Sequence, residues 1–187
     1  IGNRSSGKQG VAIARAAAAR GAEVTLIGAN LEVPAPARVT TVAVSTTAEL
    51  ADAVHAAAAT ADAVIMAAAV ADYRPETVAD AKIKKETQGD ALQLTLVRNP
   101  DILRDLVAAR SSWTTGRTST AIIGFAAETE TDPEYLLALG RAKIARKGCD
   151  YLVLNRVGWS AGFATESNDV VLLDRAGDIV GEASGSK

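Results

Sequence analysis

The sequence predicts a doubly wound α/β fold: a Rossmann-like, mainly parallel sheet with helices on both faces and a C-terminal β-hairpin. Three observations carry this. Short β-rich runs alternate with longer helix-patterned stretches through most of the 187 residues, the order that βαβ units require. Two of those runs, "DAVIMAA" (62–68) and "AIIGFAAE" (121–128), are apolar almost throughout, as strands covered on both faces must be. The tail "NDVVLLDRAGDIVGEA" sets two strand patterns around the turn "RAGD", a hairpin signal.

The elements follow in order. Residues 6–20 read as a helix, with Ser5 or Ser6 as N-cap and Gly21 as its stop. A strand over 23–28 ends at Gly28, and a second covers 38–44. Ser45 or Thr46 caps a helix over 47–60, and the strand 62–68 follows. A long excursion, 69–90, shows no clear periodicity and contains "ADYRPE" and "AKIKKETQGD". "ALQLTLV" (91–97) is a strand pattern, and Pro100 at the first helical position opens a helix over 100–110. Residues 111–120 are polar and read as a loop before strand 121–128. Asp132 caps a helix with Pro133 at its first position, running to Lys147 and ended by Gly148. "DYLVLN" (150–155) is the strand before the tail. One domain over 1–187 is expected. Only Ile1 precedes the loop at Gly2, so the strand that should feed this loop is expected to be missing.

Composition narrows the function. With 48% hydrophobic and 22% charged residues, the chain is globular rather than disordered. No apolar run reaches the length of a membrane span: 11–19 is broken by Arg15 and 63–71 is short. A net charge of −2 with 4% aromatics argues against a nucleic-acid surface. The single cysteine, Cys149, and single histidine, His55, exclude an internal disulfide and argue against a zinc site or a histidine-activated nucleophile. The lack of a disulfide framework suits a reducing cytoplasm. Chemistry must then run on Lys, Asn, Asp, Glu and backbone amides, with or without Mg²⁺.

In open α/β sheets ligands bind beyond the C-terminal strand ends, and several polar segments fall there. The opening "IGNRSSGKQG" matches G-x-x-x-x-G-K, but Gln9 stands where a hydroxyl should ligate Mg²⁺. A dinucleotide fingerprint is not met either, and "VTLIGAN" carries no acid for a ribose. What remains is an amide-rich helix N-terminus, an anion site or a simple cap. Asn3 is either a non-titrating donor to an oxyanion or a turn former. The small residues of "MAAAVADYRPE" (66–76) admit a flat ligand; Asp72 there holds a ribose or a metal, or caps the loop. Lys82 and Lys84 share one face of an extended chain and either neutralise a triphosphate or sit in solvent. Arg98 and Asn99 are contacts or helix caps, and Phe125 stacks on a base or belongs to the core. Lys143 and Lys147 lie on one helix face, at the site or facing the helix dipole. Their shared placement points to a nucleotide triphosphate site.

The segments "GNRSSGKQG", "AAVADYRP", "KIKK", "VRNPDIL", "GFAAET" and "KIARKGCDYLVLN", in this order, resemble the phosphopantothenate–cysteine ligase family over the whole chain. The resemblance implies a dimeric ligase of coenzyme A biosynthesis, unrelated to ATP-grasp enzymes, that uses CTP and Mg²⁺. The carboxylate of 4′-phosphopantothenate attacks the α-phosphorus of CTP, giving an acyl cytidylate and pyrophosphate. The amine of L-cysteine then displaces CMP. In many bacteria the domain is the C-terminal half of a bifunctional protein, a higher oligomer when fused. The FMN-dependent decarboxylase half is absent here, as is the family's upstream "GGT-x-E-P-I-D" segment.

By the same resemblance, Asn3 handles the acyl cytidylate and Lys82 serves its formation. Gly2, Asn3, Ser5, Ser6 and Gly7 form the substrate–phosphate loop. CTP contacts map to Met66, Ala67, Ala68, Asp72, Lys82, Arg98, Asn99, Pro100, Asp101, Phe125, Lys143 and Lys147. Mg²⁺ is held mainly through the CTP phosphates, with Asp72 as the protein carboxylate. Arg98 is often Lys in relatives, the same charge in another geometry. Cys149 is expected to be structural. Two rivals stay open: an NAD(P)-dependent oxidoreductase on the same fold, and a non-catalytic nucleotide-sensing domain.

Overall fold

The computed structural model describes residues 5–84, 91–113, 120–156 and 167–186. The elements are α1 (Lys8–Ala19), β1 (Thr25–Ala29), β2 (Thr40–Val44), α2 (Thr47–Ala58), β3 (Ala63–Met66), β4 (Tyr73–Pro75) and β5 (Leu96–Arg98). Then come α3 (Ile102–Ala109), which runs into a 3₁₀ turn at Arg110–Ser112, β6 (Ala121–Glu128), α4 (Pro133–Lys147), β7 (Tyr151–Arg156), β8 (Ser167–Asp174) and β9 (Ile179–Ser186).

The mixed α/β class and the C-terminal hairpin are both present. β3, β6 and β7 pair in parallel, and β8 and β9 extend that sheet antiparallel. β1 and β2 form a separate parallel pair, and β4 and β5 a short antiparallel ribbon. Among the described residues the parallel strands thus fall into two sheets rather than the one expected.

The core lies between the larger sheet and three helices. Leu50 and Val54 of α2, Ile102 and Leu106 of α3 and Ile144 of α4 pack with Ile122, Ala126, Leu152, Leu154 and Leu173. Close approach needs glycine here: a Cβ at Gly140 would lie 2.9 Å from Leu173 Cδ1 and 3.0 Å from Leu154 Cδ2. α1 packs mainly on β1 and reaches the opposite face of the larger sheet through a side-chain bond. Asn168 Nδ2 donates to Gln9 Oε1 at 3.1 Å, and Asn168 is an odd number of residues from Leu173, hence on the opposite side of β8.

Local chemistry sets the boundaries. Thr46 and Glu49 form a capping box on α2: Thr46 Oγ1 accepts from Glu49 N, and Glu49 Oε2 from Thr46 N. Asp132 accepts from Tyr135 N at 2.8 Å, Pro133 stands at the start of α4, and Gly148 with φ 72° ends it, all as the sequence predicts.

Four expectations need correction. α1 is capped by Gly7, at φ 77°, not by Ser5 or Ser6; a left-handed N-cap favours glycine. α3 begins at Ile102, because Asp101 is its N-cap and accepts from Arg104 N, which leaves Pro100 outside the helix. The strand expected over 91–97 shrinks to β5, since Leu92 and Leu94 are exposed and have no strand to pack against. The excursion expected to lack structure contains β4, which pairs Tyr73 with Arg98; its residues 85–90 lie outside those described.

Candidate functional site

The polar segments gather where β3 and β5 end and where α3 and α4 meet. β3 ends at Met66, followed by half-buried Ala67 and exposed Ala68. The chain then enters β4 and returns in β5. Asn99 N donates to Asp72 O at 2.8 Å, so Asp72 stands beside the Arg98–Asp101 turn.

Asn99 is the knot of this region, and only 8% of its surface is exposed. Its Nδ2 donates to Ala71 O at 2.8 Å and to Thr47 Oγ1 at 3.4 Å. Its Oδ1 accepts from Arg74 Nη1 at 3.1 Å, and the same Nη1 donates to Arg98 O at 2.9 Å. A side-chain amide has two N–H donors, so both of those of Asn99 are engaged within the protein. One amide therefore ties the β4–β5 ribbon to the loop after β3 and to the first turn of α2.

Two lysines of α4 are matched with carboxylates. Lys147 Nζ donates to Asp101 Oδ2 at 2.5 Å, and Lys143 Nζ to Glu128 Oε1 at 2.6 Å. Asp101 joins two helices, capping α3 while holding the last turn of α4. Burial pulls its carboxyl up, but the hydrogen bonds from Lys147 and the Arg104 amide and the nearby positive charges outweigh that. The net result lies below the ordinary carboxylate value.

The other candidates are less gathered. Phe125 is half-buried on β6, on the face away from buried Gly124 and Ala126. Ser5 is exposed and Ser6 buried. Their loop is pinned by the segment after β1: Glu32 N donates to Ser6 O at 3.0 Å, and Leu31 lies so close that a Cβ at Gly7 would overlap its Cδ2. Pro100 is exposed in its turn, and Lys82 is exposed on the β4–β5 connection, outside the hydrogen-bonded cluster. Gly2 and Asn3 lie outside the described residues. Among the described residues no group of three His, Cys, Asp or Glu side chains gathers. Asp72 is exposed in the loop before β4. No described helix is long and apolar enough to cross a membrane. Cys149 is fully buried, and burial pushes its thiol up.

Sequence reasoning missed Arg74, Thr47, Glu128 and Leu31. Arg74 had a signal, standing two residues after Asp72 in "ADYRPE". Glu128 closes a strand whose end was already of interest. Thr47 and Leu31 join the site through tertiary contacts that no local pattern announces.

The family described as DNA/pantothenate metabolism flavoprotein C-terminal domain matches residues 1–187. The coenzyme A biosynthesis bifunctional protein CoaBC of Mycobacterium tuberculosis (strain ATCC 25618 / H37Rv) is 50% identical over 188 residues, covering 100% of the chain and 44% of that protein. The Escherichia coli (strain K12) protein of the same name is 42% identical over 182 residues, covering 96% of the chain and 42% of that protein. The chain thus spans less than half the length of these relatives. A solved C-terminal domain of CoaBC superposes with a TM-score of 0.71 at 32% identity, over 97% of this chain and 77% of that one. A structure described as Cab2 mutant H337A in complex with phosphopantothenate-cysteine shares the fold, at 23% identity and a TM-score of 0.53, over 76% of this chain and 46% of that one.

Proposed function

Since the chain belongs to the DNA/pantothenate metabolism flavoprotein C-terminal domain family, we propose that it is the ligase domain of coenzyme A biosynthesis that joins 4′-phosphopantothenate to L-cysteine. The reaction consumes CTP, passes through an acyl cytidylate and releases pyrophosphate and then CMP. The observation that supports this reading is that four of the six ordered motifs, "AAVADYRP", "VRNPDIL", "GFAAET" and "KIARKGCDYLVLN", are linked by hydrogen bonds. Asp72 is backbone-paired with Asn99, and Asp101 is bonded to Lys147 beside the Lys143–Glu128 pair.

No covalent enzyme nucleophile is required, because the substrate carboxylate attacks first and the cysteine amine second. That agrees with a chain whose one cysteine is buried. The nucleotide lies along Met66–Ala68 and Asp72, the Arg98–Asp101 turn and Phe125, with Lys143 and Lys147 facing its phosphates. Lys82 neutralises charge as the phosphoryl group is attacked. Asn3 donates to the acyl intermediate, within the loop of Gly2, Ser5, Ser6 and Gly7. Asp72 would hold a Mg²⁺ carried on the CTP phosphates, and the ion would supply charge neutralisation there. The working enzyme is a cytoplasmic dimer, and FMN chemistry belongs to a separate decarboxylase part of bifunctional proteins.

The test is stepwise. The full natural chain is mixed with Mg²⁺, CTP and 4′-phosphopantothenate, and pyrophosphate is followed; cysteine is then added and CMP is followed. Pyrophosphate in the first stage and CMP in the second are expected. Nucleotide binding without pyrophosphate points to a sensing domain and sinks the ligase reading. Lys82→Gln should block the first stage, whereas Asn3→Asp should let acyl cytidylate accumulate.

A further inference from the structure

We propose that Arg74 is a positioning residue which, acting through Asn99, holds Asp72 and the Arg98–Asp101 turn in the arrangement that receives the nucleotide. The inference rests on the nucleotide reading above and adds a residue that neither the family resemblance nor the relatives' names assign.

The starting point is a mismatch between exposure and task. Arg98, Pro100, Asp101 and Asp72 are exposed, as ligand contacts should be, but Asn99 in their midst is buried. Both its N–H donors already serve Ala71 O and Thr47 Oγ1. Donation to a phosphate would therefore break an internal bond. Its side chain is built to hold the turn, and the neighbours are left to touch the ligand.

Holding is needed here. β4 and β5 have three residues each, and an isolated two-stranded ribbon is at best marginally stable in water. The ribbon's own backbone bonds, Glu76 N to Thr95 O and Asn99 N to Asp72 O, fix its two strands to each other. The Asn99 amide fixes them to α2.

Arg74 orients that amide. Its Nη1 bridges Arg98 O and Asn99 Oδ1, so the guanidinium selects the rotamer in which Oδ1 points to β4 and Nδ2 to Ala71 and Thr47. Hydrogen bonds from a charged donor are stronger than neutral ones. Without Arg74, Oδ1 is a buried acceptor lacking its donor, and the amide gains a reason to turn over.

The experiment is a double-mutant cycle on the full natural chain. CTP binding in the presence of Mg²⁺ is measured by calorimetry for wild type, Arg74→Ala, Asn99→Ala and the double variant. Each single variant should weaken binding about tenfold. The double variant should lose much less than the two single losses multiplied, because Arg74 acts largely through that amide. Arg74→Lys, which keeps a cationic donor, should recover part of the loss. Amide hydrogen exchange over 96–101 should quicken in Arg74→Ala while its melting temperature stays near that of an exposed control, Arg15→Ala.

Affinities within twofold of wild type, or losses that multiply in the double variant, overturn the proposal. If wild type binds no CTP, the nucleotide reading fails instead. The exchange measurement then still decides whether Arg74 holds the turn, and unchanged exchange refutes that as well.

Discussion

Asp101 performs two tasks that substitution can separate. Its carboxylate caps α3 through Arg104 N and accepts from Lys147 Nζ. Losing a helix N-cap costs about 0.5–2 kcal/mol. The ion pair, with side chains 41% and 20% exposed, contributes about 0.2–1 kcal/mol after solvent screening. Asp101→Ala removes both, roughly 1–3 kcal/mol, whereas Asp101→Asn keeps an acceptor for the cap and loses only the pair. For a chain of this size each kcal/mol moves the melting temperature by about 2–4 °C. The alanine variant should therefore melt several degrees below the asparagine variant, which stays close to wild type.

The pH dependence follows from the same pair. The folded-state pKa of Asp101 lies below its ordinary value of 3.8. The pair's contribution is thus fully present above that value and is lost as pH falls through the lower folded one. The gap between wild type and Asp101→Asn should be constant from neutral pH down to about pH 5 and close below about pH 4. Thermal melts of the three proteins at neutral and acid pH decide the matter. An asparagine variant as unstable as the alanine one would refute the separation of cap and pair. So would a gap that persists unchanged to pH 3.

Other outcomes follow from the packing. Gly10→Ala and Gly140→Ala should differ in sign by thermal melting. A Cβ at Gly10 meets nothing within 4 Å, so the helix gains about 0.5–1 kcal/mol. At Gly140 the new methyl strikes Leu154 and Leu173, at 1% and 0% exposure, and overpacking of about 1–3 kcal/mol outweighs that gain. Gly7→Ala forces a side chain into φ 77° at a cost of about 1–2 kcal/mol and presses on Leu31. Denaturant unfolding should show a smaller cost for it in a Leu31→Ala background. Cys149, buried with a raised pKa, should resist a thiol reagent at neutral pH until the chain is unfolded.

Much of this fold was legible because its signals are local. Strand 121–128 has the predicted bounds, since a continuous apolar run between polar flanks has little freedom to shift. α4 ends where Asp132, Pro133 and Gly148 say it should. The misses came from competition between nearby residues. Pro100 is a good helix starter, but Asp101 is a better cap, and the cap determined where α3 begins. "ALQLTLV" alternates as a strand should, yet Leu92 and Leu94 stay exposed, because a strand needs a partner that its own sequence cannot name. At the site, residues near strand ends could be nominated from order alone. Their pairings could not, because Asp101–Lys147 and Asn99–Thr47 join positions about fifty residues apart.

The carboxylate partners of Lys143 and Lys147 have a kinetic meaning. A bare lysine pair would pull on anions at long range, whereas a matched pair presents dipoles whose field fades well within a Debye length of about 8 Å. These two lysines then add little to the long-range steering of anions. Glu128 and Asp101 also act as incumbents. If the nucleotide binds as proposed, its phosphates must offer the lysines more than these carboxylates do, which a singly charged acid would not.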